Sequence, residues 1–100
     1  MEMTARKLLT VVTEAAIEDT LVRDLEHLGA RGYTITDARG KGSGGKRDAT
    51  WGPHANIRLE VLCDAATAEA ICAALRERYS DNYSMVMYVG DVDVLRPLKF

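Results

Sequence analysis

A run of glycine and charge, roughly 18 residues over about 38–55, separates two strand-like segments, where compact domains usually spend about 4–6 residues. Whatever the rest of the chain folds into must carry a long arm at this point. Ahead of it, residues 32–37 read as a short β-strand, with Tyr33 and Ile35 alternating with Thr34 and Thr36. Within the arm, Arg39, Lys41, Lys46 and Arg47 stand against Asp48 alone, so it is cationic in a chain of net charge −2. Gly40, Gly42, Gly44 and Gly45 allow successive backbone N–H groups to converge, as an anion-binding nest requires. Two readings fit: a mobile arm that closes on an anionic ligand, and a solvated flexible loop.

Residues 7–12, Lys-Leu-Leu-Thr-Val-Val, are β-rich and almost continuously apolar, which predicts a central strand buried on both faces. Ile17, Leu21, Leu25 and Leu28 then recur at helical spacing, and Gly29 is placed to end that helix in the left-handed conformation. After the arm, Ile57, Leu59, Val61 and Cys63 alternate with Arg58 and Glu60, predicting a half-buried strand. Asp64 is placed to cap a second helix whose apolar stripe is Ala68, Ile71, Cys72, Leu75 and Tyr79. Residues 80–84 form a turn cluster, 85–89 read as a buried strand, and 92–95 as a separate shorter segment. The order β-α-β-β-α-β predicts an α+β ferredoxin-like sandwich: a four-stranded antiparallel sheet, two helices on one face, and the long loop between strands 2 and 3. The sheet's other face is apolar with nothing in the chain to cover it, so an oligomer is expected.

With 47% apolar residues, the 100-residue chain is expected to be one domain over 1–100. It has no apolar run long enough to span a membrane and no visible signal peptide, so a cytoplasmic location is expected. The acidic balance argues against non-specific nucleic-acid binding. Cys63 and Cys72 lack metal-ligand spacing and are expected as buried, reduced thiols.

The residues Gly32-Tyr33-Thr34, the strand that follows, Arg39-Gly40-Lys41-Gly42 at the opening of the arm, and Asn56-Ile57-Arg58-Leu59-Glu60-Val61 resemble the PII signalling superfamily. The resemblance spans nearly the whole chain. It is nearest to the PII-like branch linked to bicarbonate transport and carboxysomes, whose arm opening is similar to Gly40-Lys41-Gly42-Ser43. It implies a non-enzymatic regulator without a catalytic cofactor, a homotrimer with adenine-nucleotide sites in the clefts between subunits. Thr34, Glu60 and Val61 match positions that reach the nucleotide; Gly40, Lys41 and Gly42 match the base of the arm; Arg96 and Lys99 match phosphate contacts. Bicarbonate is expected against Gly40, Lys41, Gly42 and Ser43, and the implied partner is a bicarbonate transporter or carboxysome component, with association to the carboxysome or inner membrane through it. The glycine-rich, lysine-bearing loop typical before the last strand is replaced by Ser80-Asp81-Asn82-Tyr83-Ser84, which favours ADP or AMP over ATP. The arm has no tyrosine, so control by nucleotidylation is not expected.

Other motifs are weaker. The segment 40–46 approaches a Walker A pattern, but Arg47 stands where the magnesium-holding hydroxyl belongs, and a strand follows instead of a helix. Trp51 suits either stacking on adenine or a partner, or covering its own sheet edge. His27 and His54 lack companions at metal-ligand spacing and are expected in solvent, so no metal site is expected. Asp91 and Asp93 are expected as surface carboxylates near Arg96. The rival reading is a nucleotide-phosphate hydrolase or transferase of the same fold, acting at the inter-subunit cleft.

Overall fold

The computed structural model describes residues 2–40 and 56–95. Lys41, Gly42, Ser43, Trp51 and His54 of the arm, and Arg96 and Lys99 of the tail, lie outside the described residues. Strand β1 runs Thr4–Glu14, a 3-10 turn Ala15–Ile17, helix α1 Glu18–His27, β2 Thr34–Ala38, β3 Asn56–Cys63, helix α2 Ala65–Tyr79 and β4 Met85–Val94. The sheet order is β2-β3-β1-β4 and every neighbouring pair is antiparallel, which is the expected ferredoxin-like plait.

The helix ends follow from the residues expected to set them. Asp64 Oδ1 accepts the Thr67 backbone N–H at 2.7 Å, and that bond, joined by the Thr67 hydroxyl, holds the Asp64 carboxyl below its ordinary range. After α1, Gly29 sits at φ +97°, while Ala30 N–H donates to Leu25 O at 3.0 Å. This closes the helix with the reversal that only glycine makes without strain.

The core lies on one face of the sheet. Leu9 and Val11 of β1 and Ile57, Leu59 and Val61 of β3 meet Leu21 and Leu25 of α1 and Ala68, Ile71, Leu75 and Tyr79 of α2. Alternation along the strands turns the residues between them outward. A polar clasp joins the helices at its rim: the buried Asp24 carboxylate accepts the Tyr79 hydroxyl at 2.5 Å and the Arg78 guanidinium. Burial first, and the Asp24 hydrogen bond second, push the Tyr79 phenol up to about 12.

Four expectations need correction. The segments 85–89 and 92–95 are one continuous edge strand, and it is not buried: Val86 and Tyr88 are each 54% exposed. Val86 and Tyr88 face outward from an edge strand with no layer above them, while Met85 and Met87 are half-buried against the core, so composition alone misstates the strand's burial. Strand β1 is closed on the helix side, but Leu8 and Val12, on its outward side, are half-buried. Strand β2 begins at Thr34, leaving Tyr33 in the connection ahead of it. Cys72 is half-buried rather than buried, although burial raises both thiols above their ordinary range. Asp91 pairs with Lys7 at 2.5 Å, and its side chain is largely exposed. No described helix is long and apolar enough to cross a membrane.

Candidate functional site

The outward face of the sheet is built by register. Thr10 of β1 stands opposite Tyr88 on one side and Glu60 on the other, and Glu60 in turn stands opposite Thr34. One step along the same face, Leu8 pairs with Leu62. These rows place a hydroxyl and a carboxylate beside two leucines, and a cavity of about 430 Å³ opens there, lined by Leu8, Gly32, Tyr33, Thr34, Glu60 and Leu62. Such a mixture suits a flat, mostly apolar ligand with a few polar atoms on its rim.

Two residues from Glu60 towards the arm stands Arg58, opposite Thr36, and its Nε lies 3.8 Å from the Glu60 carboxylate. Arg58 is half exposed and Glu60 a third exposed, so the pair is a loose surface interaction. Ala38 and Asn56 close the hairpin two residues further on. The four residue steps from Thr34 to Ala38 span about 13 Å, so the cavity stands one short ligand's length from the foot of the arm. Along this strip the chemistry changes from carboxylate, hydroxyl and leucine to cation and hydroxyl. The Asn56 side-chain oxygen, buried at the foot of the arm, meets no donor among the described residues.

Of the residues expected to reach a nucleotide, Thr34 and Glu60 come together as cross-strand partners in the cavity wall. Val61 points the other way: its side chain is fully buried in the core, leaving only its backbone to meet a ligand. Gly40 is exposed at the opening of the arm, with open space where a Cβ would stand. Sequence reasoning does not assign Leu8, Gly32, Tyr33 or Leu62 to the site. Leu62 follows from alternation two places beyond Glu60, whereas Leu8 is brought in only by pairing across more than fifty residues.

A smaller cavity of about 240 Å³ lies between the helices, lined by Asp24, His27, Leu28, Ala74, Leu75 and Arg78. Its carboxylate is already engaged by Arg78 and Tyr79. Among the described residues no group of three or more His, Cys, Asp or Glu could hold a metal.

The chain matches the family model of nitrogen regulatory protein P-II over residues 6–99. It is similar to a PII-like signalling protein from Thermus thermophilus, with 38% identity and a TM-score of 0.84 over 100% of this chain and 99% of that one. It is also similar to CPII from Thiomonas intermedia bound to ADP and bicarbonate, with 26% identity, a TM-score of 0.85, and coverage of 99% and 97%. CPII bound to ADP, AMP and acetate gives 25% identity and a TM-score of 0.86, covering 100% of this chain and 98% of that one.

Proposed function

We propose, since this chain belongs to the P-II family of nitrogen regulatory proteins, that it is a regulator that binds ADP or AMP together with bicarbonate. The binding sites lie in the clefts between the subunits of a homotrimer, and the arm reports inorganic-carbon and energy status to a partner. The observation that carries this reading is the cavity at the Thr34–Glu60 pair, set one short ligand's length from the arm. An adenine fits the leucine-floored end, where Glu60 accepts from its exocyclic amine and Thr34 bonds its rim. The phosphates then run past Arg58 towards Gly40, Lys41 and Gly42. Arg96 and Lys99 of the tail supply further charge-assisted contacts to them. The ADP and bicarbonate bound by CPII support the same ligand pair here.

The trimer rests on the outward sheet face. Leu8, Val12, Val86 and Tyr88 leave apolar surface in water that a second copy would cover. In the assembly each cavity gains a wall from its neighbour. Bicarbonate is small and singly charged, and Lys41, Ser43 and the backbone N–H groups of Gly40 and Gly42 offer one cation and several convergent donors. A nucleotide that orders the foot of the arm has already met part of the ordering cost when bicarbonate arrives. The coupling is reciprocal.

Calorimetric titration of ADP or AMP with and without bicarbonate at fixed pH tests the reading. Bicarbonate should tighten nucleotide binding several-fold, about 1 kcal/mol; chloride at equal ionic strength should not, and Lys41→Ala should abolish the effect. Identical isotherms would remove bicarbonate and leave a plain nucleotide regulator. Steady turnover of nucleotide by the purified protein would favour an enzyme of the same fold.

A further inference from the structure

We infer that Tyr33 is a base-stacking residue that fixes the purine ring in the cavity, an inference that rests on the nucleotide reading above. Tyr33 lines the cavity and is 43% exposed. It stands immediately before the first paired residue of β2, so the sheet's alternation does not bind its ring to either face. Gly32, next to it, has open space around its Cα and keeps that side of the mouth clear of side chain. The cavity's other apolar lining comes from Leu8 and Leu62, which are cross-strand partners in the sheet. A planar heterocycle lying against the two leucines has one face on aliphatic carbon and the other open to an aromatic ring. Glu60 and Thr34 meet its edge.

The other exposed tyrosines among the described residues are differently placed. The Tyr83 ring packs edge-on against Tyr79 at 5.9 Å. Tyr88 lies on β4, on the far side of Thr10 from Glu60. Neither borders this cavity. A tyrosine left half in water beside a cleft of mixed polarity offers a large flat surface with few rotamers to freeze, which is the geometry that base stacking uses.

The test is AMP binding by the full-length protein, measured by calorimetry on wild type, Tyr33→Phe and Tyr33→Ala. Circular dichroism and light scattering of each variant confirm an unchanged fold and assembly. Tyr33→Ala should weaken AMP about tenfold, within the range that loss of a base-stacking ring produces. Tyr33→Phe should stay within about twofold, because the ring and not the hydroxyl makes the contact. On unsubstituted protein, nuclear Overhauser contacts should join the adenine H2 or H8 protons to tyrosine ring protons, and these signals should vanish in Tyr33→Ala. Equal affinity in wild type and Tyr33→Ala, or bound AMP with no such contact, overturns the stacking role and leaves nucleotide binding intact. Wild-type protein that binds no adenine nucleotide overturns both.

Discussion

On one side of the sheet, Leu9, Val11, Leu59 and Val61 are sealed beneath α1 and α2; on the other, Leu8 and Val12 stay half open and Val86 and Tyr88 face water. The same strands build both faces, from side chains of similar character. Apolar content therefore does not tell which side is the core. The difference lies in what the chain itself brings to cover each side. The first face is covered within one chain except at the edge strand, where Val89 stays 45% exposed, and it supplies the chain's stability. The second is open and carries the Thr34–Glu60 cavity, and it is the face that the proposed ligand and neighbouring subunit would use. On the proposed function, stability and recognition are thus separated by the thickness of one sheet.

The largest effect should come from charging the open face. Tyr88→Asp should leave the circular dichroism of the folded chain intact, yet reduce the mass seen by light scattering from about three chains to a single chain of 11.0 kDa. Nucleotide binding should fall with it. A variant that stays assembled would show that the subunits meet elsewhere, and the contrast between the faces would lose its functional half.

Next in size is a truncation on the sealed side. Leu75→Ala removes a fully buried side chain and should lower the unfolding free energy by about 2–5 kcal/mol in urea, while the folded protein still binds AMP. Loss of AMP affinity without loss of stability would mean that the two faces are coupled, against the separation drawn here.

The smallest effect concerns the clasp between the helices. The Tyr79 phenol is raised from its ordinary 10.0 to about 12 by burial and by Asp24, so the folded chain holds that proton more tightly than the unfolded one. Its contribution to stability is complete below pH 10 and is lost as pH rises through 12. Urea midpoints measured across that interval should decline more steeply for wild type than for Tyr79→Phe. Parallel curves would mean that Tyr79 titrates alike in both states.

Much of the fold can be read from local chemistry. The Asp64 cap, the left-handed Gly29 and the stripe Leu21-Leu25 each depend on residues within a turn or two of one another. The strand at 85–94 cannot be read in the same way. Gly90 and Asp91 look like a break, but pairing with Leu8 and Lys7 carries the strand through them. The site shows the same division. Thr34 and Glu60 come from resemblance and do meet, but the leucine floor depends on Leu8 lying opposite Leu62, a register that no short window of sequence contains. Val61, one place beyond Glu60, belongs to the core because a strand alternates. Alternation alone puts Tyr33 within a strand that starts one residue later, and this single place separates a side chain fixed by the pleat from one at the mouth of the cavity.

The pairing of Ala38 with Asn56 has an evolutionary consequence. The two ends of the arm are held opposite each other by the sheet, whatever lies between them. Lengthening or rewriting the intervening peptide changes closure entropy by only about 0.6 kcal/mol for each doubling of its length. It leaves the Thr34–Glu60 register, and every residue of the helix-side core, where it was. Such a hairpin works as a socket: the segment it holds can be exchanged without rebuilding the paired strands that line the cavity. The same property makes the join between residues 40 and 56 a natural place to graft a foreign peptide or a fluorescent reporter.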